Sequence, residues 1–203
     1  MRAVVIGNGK INDYAYIRSL IAEDDYIICA DGGIRHAEKL GITPDLAIGD
    51  FDSGKEPEHN KVKVIKYPTD KLYTDGELAM NYARDHGFDE IMVLGMTGDR
   101  LDHTFSNVFN LTQYPGSYLI DDKNEVRIVT DSLVIEGKRG KTFSFLPVSG
   151  ELCGITLKGF RWELDNADHK FGIPRGISNI ITSDRAEMKI KSGIAIVVIN
   201  DGE

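Results

Sequence analysis

Residues 26–50 read YIICADGGIRHAEKLGITPDLAIGD, and this stretch contains the pattern that decides the fold of the first half of the chain. An apolar, β-branched run at 26–30 precedes a helical pattern at 34–40, and a second apolar run follows at 46–48. Continuous apolar strands that alternate with helices predict an α/β domain with a doubly wound, mostly parallel sheet covered on both faces. The alternation recurs, with strand patterns at 3–6, 62–66 and 90–94 and helical patterns at 14–22, 74–85 and 101–112.

The pattern of predicted secondary structure changes after Pro115-Gly116, where short strand patterns follow one another closely. That spacing predicts an antiparallel β-sandwich, so we expect an α/β domain at 1–133 and a β-sandwich domain at 134–203. The strand patterns lie at 117–120, 125–129, 132–136, 141–146, 154–157, 186–190 and 193–199.

Composition excludes several classes of protein. The 203 residues are 41% apolar, which is too apolar for a disordered chain, and 24 basic against 32 acidic residues give a net charge of −8. An acidic chain without a basic run predicts neither a nucleic-acid nor a membrane partner. Cys29 and Cys153 are far apart in apolar stretches and predict free thiols in a reducing cytoplasm. We therefore expect a soluble, cytoplasmic protein without a signal peptide or membrane span.

Two acidic motifs follow predicted strands, where open α/β sheets bind their ligands. Asp31-Gly32-Gly33 follows the strand at 26–30, and Gly49-Asp50-Phe51-Asp52 follows the strand at 46–48. On an extended backbone Asp50 and Asp52 point to the same side and can share a hard cation such as Mg²⁺. The alternative for the second motif is an acidic turn with a solvated Asp52.

Two further motifs lie beside predicted helix starts. Thr74 and Glu77 have capping-box spacing, which explains Thr74 but not the neighbouring charges of Asp70 and Lys71. In 95–103, GMTGDRLDH, a glycine loop leads into a helix and predicts an anion site. There Gly98 supplies loop backbone, Arg100 a cation, and Asp102 a group for a metal or a hydroxyl. His103 stays open between a ligand and a hydrogen-bonded structural residue, and Gly7-Asn8-Gly9 is only suggestive because it lacks the complete dinucleotide fingerprint.

Together these groups favour Mg²⁺-dependent chemistry on a nucleoside polyphosphate. The chain has no Walker loop and no Gly-x-Ser-x-Gly elbow, which argues against P-loop and acyl-transfer enzymes. Residues 31–102 carry 9 − 15 = −6 of the net charge. A site with this much negative charge can bind an anionic substrate if Mg²⁺ enters together with the substrate.

As an ordered set, these motifs resemble the thiamine pyrophosphokinase family from about residue 4 to residue 199. The resemblance rests on Asp31-Gly32-Gly33, Pro44-Asp45 with 49–53, Asp70 with Thr74-Asp75, Gly98 with 100–103, and the late RGISN at 175–179. It implies a homodimer that transfers pyrophosphate from MgATP to the hydroxyl of thiamine, giving thiamine diphosphate and AMP. Residues 1–133 would bind ATP and Mg²⁺, and residues 134–203 would contribute to thiamine binding and dimerisation.

The resemblance also implies residue roles. The catalytic residues would be Asp50, Asp75, Arg100 and Asp102, and Mg²⁺ would be bound by Asp50, Asp52, Asp75 and Asp102. ATP would be bound by Asp31, Gly32, Asp70, Lys71, Thr74, Gly98 and His103. Thiamine would be bound by Asp52, Trp162, Ser178 and Asn179. Either Asp75 or Asp102 would act on the hydroxyl, and the alternative for Trp162 is a sandwich-core aromatic. The loop before Arg100 has less glycine than the family often shows, and residues 164–174 match no family motif.

Three other functions stay open on the sequence. The nearest is pyrophosphoryl transfer to another hydroxymethyl heterocycle, such as a pterin, which needs the same phosphate chemistry. A phosphatase with Asp50 as nucleophile is disfavoured because the aspartate pair follows the third strand rather than the first. A non-enzymatic nucleotide sensor is the remaining alternative, although it would not need every carboxylate that this chain retains.

Overall fold

A computed structural model describes residues 1–51 and 62–201 of the chain, so Asp52 lies outside the described residues. The chain forms two compact units, Met1–Asp122 and Lys123–Glu203. The functional boundary at 133/134 stays a prediction.

The first unit has the expected strand and helix alternation. Its strands are β1 Arg2–Ile6, β2 Tyr26–Ala30, β3 Leu46–Gly49, β4 Lys63–Lys66, β5 Glu90–Leu94 and β6 Ser117–Ile120, and its helices are α1 Tyr14–Leu20, α2 Ile34–Leu40, α3 Asp75–Asp85 and α4 Leu101–Asn110. The described strands pair in parallel in the order β6-β5-β1-β2-β3-β4. The prediction of a parallel α/β sheet is confirmed, and β6 extends that sheet rather than starting the antiparallel part.

Both faces of this sheet are covered. Successive residues of β1 point to opposite faces, and Ala3, Val4, Val5 and Ile6 are all fully buried. Val4 and Ile6 pack in one cluster with Ile17 of α1 and with apolar residues of α2. The continuous apolar strands of the sequence are therefore explained by helices on both sides of the sheet.

The strand order places a topological switch point between β1 and β5. The chain proceeds from β1 towards β2 on one side, and β5 continues to β6 on the other. The loops after these two strands therefore leave the sheet edge in opposite directions, which opens a crevice at their carboxyl ends. Gly7-Asn8-Gly9 follows β1 and Gly95–Gly98 follows β5, so both glycine motifs lie at this crevice.

Close approach of the chain at Gly33 fixes the start of α2. A Cβ atom at Gly33 would lie 2.0 Å from the carbonyl oxygen of Ile6, which is backbone and cannot move aside alone. We predict that Gly33→Ala lowers the free energy of unfolding by about 2–4 kcal/mol in urea denaturation. The matched control is Gly98→Ala, whose nearest contact would be an ordinary 3.4 Å. Equal effects of the two substitutions would contradict the prediction.

The second unit is an antiparallel sandwich, as predicted. Its strands are β7 Asn124–Val129, β8 Ser132–Glu136, β9 Thr142–Pro147, β10 Glu151–Lys158, β11 Leu164–Lys170, β12 Asn179–Ile180, β13 Arg185–Lys189 and β14 Ala195–Asn200. Among the described residues, one sheet has the order β12-β9-β14-β7 and the other β11-β10-β13-β8. Phe143, Leu152 and Met188 are fully buried members of the core cluster that the two sheets share.

Three features of the structure are not in the sequence prediction, and the first is the two-residue strand β12. Strand β11 was missed because it is polar, LDNADHK, and such a sequence fits its place at the edge of a sheet. Within the described residues 1–51 and 62–201, no residue of helix α4 is buried, although Leu101, Phe105 and Phe109 share an apolar face. Among the described residues no helix combines the length and apolarity needed to cross a membrane.

Candidate nucleotide and cation site

A cleft of about 900 Å³ lies at the switch point of the first unit. Its walls are the loops after β1 and β5, the end of β2, and the first turns of α3 and α4. The lining residues include, from the sequence prediction, Asp31, Thr74, Asp75, Gly98, Arg100, Asp102 and His103. The structure thus brings together, around one cleft, predicted residues from three separate motifs.

The two glycine loops of the cleft are joined by backbone hydrogen bonds. The amide of Gly7 donates to the carbonyl of Leu94 at 2.9 Å, and the amide of Lys10 donates to that of Thr97 at 2.8 Å. A third bond runs from the amide of Gly9 to the carbonyl of Gly95. The loops therefore form one preorganised wall.

His36 of α2 stabilises the loop after β1 through a hydrogen bond to its backbone. Its Nε2 lies 2.8 Å from the carbonyl oxygen of Gly9, and its Nδ1 lies 2.7 Å from the hydroxyl of Tyr14. A carbonyl only accepts, so Nε2 carries the proton and Nδ1 accepts from Tyr14. Burial is the main cause that lowers the pKa of His36, and the charges of Lys39 and Arg35 add to it. His36 is a lone histidine in a helix, and its role could not be read from the sequence.

The lowered pKa of His36 predicts a loss of stability in acid. The unfolded chain binds this proton near pH 6.5 and the folded chain only at lower pH, so stability is complete above 6.5 and falls as the pH drops below it. Urea denaturation at a series of pH values between 5 and 8 measures the effect. His36→Gln should flatten this part of the profile. An unchanged slope in the variant would contradict the prediction.

A compact ion cluster lies beside the cleft. The ammonium of Lys71 is 3.1 Å from Oδ2 of Asp50 and 3.2 Å from Oδ1 of Asp75. Asp50 directly follows β3, and Asp75 is the first residue of α3. Burial raises the pKa of Asp75, and the charges of Asp50 and Asp31 act in the same direction, whereas Lys71 opposes them.

Local conformation explains how these carboxylates meet. Oγ1 of Thr74 accepts from the amide of Glu77 at 3.1 Å, so the predicted cap fixes the start of α3 and with it Asp75. Phe51, directly after Asp50, has φ +57, and Asp31 has φ +43. Such backbone is costly for residues other than glycine and is concentrated at functional sites.

The chemistry of the cluster fits a divalent cation. Asp50 and Asp75 already bring two carboxylates within ion-pair distance of one positive charge, and carboxylate oxygens are the ligands that Mg²⁺ prefers. Among residues 1–51 and 62–201, however, no three His, Cys, Asp or Glu side chains are grouped as metal ligands would be. Other ligands would then come from substrate phosphates and water, as is usual for Mg²⁺.

Arg100 and Asp102 form an exposed pair at the start of α4. Nη2 of Arg100 lies 2.7 Å from Oδ2 of Asp102, and this hydrogen bond lowers the pKa of Asp102 to about 2. Their side chains are 70% and 66% exposed, so an incoming phosphate can reach the guanidinium. The amide of Gly98 donates to Oγ1 of Thr104 at 3.2 Å, so this loop amide already has a partner.

The second unit carries the remaining predicted residues. Trp162 is 57% exposed, which excludes the sandwich-core alternative, and the guanidinium of Arg161 lies over its ring. Asn179 is buried; its side-chain amide donates to the carbonyl of Trp162, and its side-chain oxygen accepts from the amide of Trp162. Asn179 thus holds the backbone of Trp162 in place. Ser178 is exposed with φ +61, and its amide donates to Oγ of Ser144.

Some predicted residues do not line the cleft. Asp70 is exposed, and Gly32 is buried against the side chain of Asn8. The sequence reading also left out several lining residues, including Lys10 and Asn107, whose side-chain amide donates to the carbonyl of Met96. The position of Gly7-Asn8-Gly9 after the first strand was the available signal for Asn8 and Lys10. Asn107, on a helix, offered none.

The fold and the cleft define a class of protein. A parallel α/β sheet whose switch-point cleft is lined by glycine loops, an exposed arginine and the carboxylates of Asp31, Asp75 and Asp102 is typical of an enzyme acting on phosphorylated nucleotides.

Comparison with known proteins identifies the family to which the chain belongs. The family model for the thiamin pyrophosphokinase catalytic domain matches residues 17–128, and that for the thiamin pyrophosphokinase vitamin B1 binding domain matches residues 132–195. The chain belongs to the thiamin pyrophosphokinase family. Thiamine pyrophosphokinase of Bacillus subtilis (strain 168) is 32% identical over 207 residues, which cover 96% of each chain.

Solved structures agree with this membership. The crystal structure of thiamine pyrophosphokinase from Bacillus subtilis superposes with a TM-score of 0.88 at 26% identity and covers all of both chains. That of thiamin pyrophosphokinase from Geobacillus thermodenitrificans gives a TM-score of 0.86 at 26% identity over 98% and 97% of the chains. The family resemblance read from the sequence is therefore confirmed, as is the α/β fold followed by a β-sandwich.

Proposed function

We propose that the protein transfers pyrophosphate from MgATP to the hydroxyl of thiamine, giving thiamine diphosphate and AMP. The observation that carries the proposal is the cleft at the switch point, where an exposed arginine and carboxylates from separate motifs line one cavity. The two family matches, to a catalytic and to a vitamin B1 binding domain, support this choice of substrates over a pterin, a phosphatase reaction or a sensor.

The proposed reaction is an in-line displacement. The hydroxyl oxygen of thiamine attacks the β-phosphorus of ATP, the bond from that phosphorus to the oxygen bridging to the α-phosphate breaks, and AMP leaves. Arg100 exchanges its partner Asp102 for phosphate oxygens and so offsets their charge. Asp75 and Asp102 both line the cleft, and either can accept the hydroxyl proton.

The other predicted residues hold the substrates. Bound between Asp50 and Asp75, Mg²⁺ would neutralise charge on the transferred group, with Asp52 as a further proposed ligand. Asp31, Gly32, Asp70, Lys71, Thr74, Gly98 and His103 are proposed for ATP. Trp162 stacks on thiamine, Asn179 keeps the Trp162 backbone in place, and Ser178 and Asp52 complete the thiamine set.

A single assay tests the proposal. The protein is incubated with MgATP and thiamine, and nucleotide and thiamine products are quantified. AMP and thiamine diphosphate in equal amounts are the expected result. ADP would instead show single phosphoryl transfer, and phosphate release without thiamine would show a phosphatase. ATP binding without any product would show a sensor, and product formation only with a pterin acceptor would show the related pyrophosphokinase.

We also propose a homodimer, supported by the apolar face of α4. Leu101, Phe105 and Phe109 are 65%, 56% and 49% exposed in the single chain. An aromatic and aliphatic face of this kind is typical of a surface that a second copy covers. Sedimentation equilibrium should give twice the mass of the 22.5 kDa chain, and a monomer at all concentrations would contradict the proposal.

A further inference from the structure

Lys71 occupies the place that the two carboxylates prepare for a cation. Its single ammonium lies at nearly equal distances, 3.1 and 3.2 Å, from oxygens of Asp50 and Asp75. These carboxylates come from different elements, the end of β3 and the start of α3, which Lys71 links. A divalent cation held by the same two carboxylates would take the place that the ammonium occupies between them.

Burial shows that this is not an ordinary surface ion pair. The side chains of Lys71, Asp50 and Asp75 are only 12%, 11% and 23% exposed. Burying an ammonium costs free energy, which the two carboxylates offset, and without a cation the carboxylates would repel each other. The burial of the two carboxylates therefore favours a positive charge between Asp50 and Asp75.

From this geometry we propose that Lys71 is the resident counter-ion of the cation site and that a divalent cation bound by Asp50 and Asp75 displaces its ammonium. The inference rests on the proposed function, because it takes Mg²⁺ to act at this site. Lys71 is a positioning residue in this account: it keeps the carboxylates together without metal and competes with free metal. The displaced ammonium becomes available to pair with a phosphate group, so metal and nucleotide bind better together than metal alone.

Metal affinity without substrates tests the competition. Isothermal titration calorimetry with Mg²⁺ alone should give a Kd at least about fivefold lower for Lys71→Met than for the unchanged chain. Lys71→Gln, which still donates hydrogen bonds but carries no charge, should show the same gain and serves if Lys71→Met does not fold. Lys71→Arg keeps the charge and should bind Mg²⁺ as the unchanged chain does. Lys189→Met is the matched control, because it removes an exposed lysine of the second unit and should leave the Kd unchanged.

Displacement itself is tested by NMR of protein labelled at the lysine ε-carbon. The Lys71 resonance, identified by its loss in Lys71→Arg, should shift when Mg²⁺ is added without nucleotide. A resonance that does not move, or a Kd that is unchanged or higher in Lys71→Met, would overturn the inference. None of these readouts depends on thiamine or on turnover. Failure of the proposed function would appear separately, as an absence of AMP and thiamine diphosphate from the unchanged protein.

Discussion

Asp50→Asn should lower kcat for thiamine diphosphate formation by about 10²- to 10³-fold, since in the proposed reaction it removes a carboxylate that binds the cation acting on the transferred phosphates. The fold should survive, because the amide oxygen of the variant can still accept a hydrogen bond from Lys71. Steady-state kinetics over a range of Mg²⁺ concentrations, together with thermal unfolding, measure both parts of the prediction. The Mg²⁺ concentration for half-maximal rate should rise.

The control for this variant is Asp89→Asn. Asp89 precedes β5, its side chain is 93% exposed, and its ion pair with the N-terminus is long at 3.9 Å. It should change neither kcat nor the Mg²⁺ dependence. If Asp50→Asn keeps more than about a tenth of kcat, its carboxylate is not part of the reaction centre.

Trp162→Ala should raise KM for thiamine by about 10- to 100-fold, the loss expected when one aromatic stacking surface is removed. KM for ATP should stay nearly constant, because the nucleotide site is proposed for the first unit. Trp162 is exposed, so the variant should unfold at nearly the same temperature. Trp162→Phe keeps a stacking surface and is the matched control, with most of the thiamine affinity retained.

The same residue provides a direct binding readout. Trp162 is the single tryptophan of the chain, so intrinsic tryptophan fluorescence reports on it alone. Thiamine should quench this fluorescence in the absence of ATP. Quenching by ATP but not by thiamine would contradict the assignment of Trp162 to the thiamine site.

Periodic, buried segments were the part of this structure that the sequence predicted well. The runs at 26–30 and 46–48 are apolar because both faces of the sheet are covered, so their pattern directly reflects their surroundings. Among the strands that the structure describes, β11 pairs with β10 alone, and its sequence is polar, so no apolar period marks it. The exposure of the α4 face likewise depends on what packs against the helix, which its own periodicity does not encode.

The candidate site was predictable as a set of motifs but not as a set of contacts. Asp50, Asp75 and Arg100 stand out because charges directly after strands or before helices have no role in a core. Lys71 can contact both aspartates only because β3 and α3 lie close together in the fold. Asp50 and Asp75 are 25 positions apart in the sequence, so the motif alone does not predict this contact. His36 could not be found, because its function is a hydrogen bond to a backbone carbonyl that any sequence would provide.

The backbone bonds between the two glycine loops have a consequence for variation in this chain. Because the loop after β1 makes three backbone hydrogen bonds to the last residue of β5 and the loop that follows it, neither loop can change its path while the other keeps its own. Effects of substitutions at Gly9 and at Thr97 will therefore not add, and a second change can compensate a first one across the gap. We therefore expect the two segments, which are more than 80 residues apart in the sequence, to tolerate paired substitutions better than single ones.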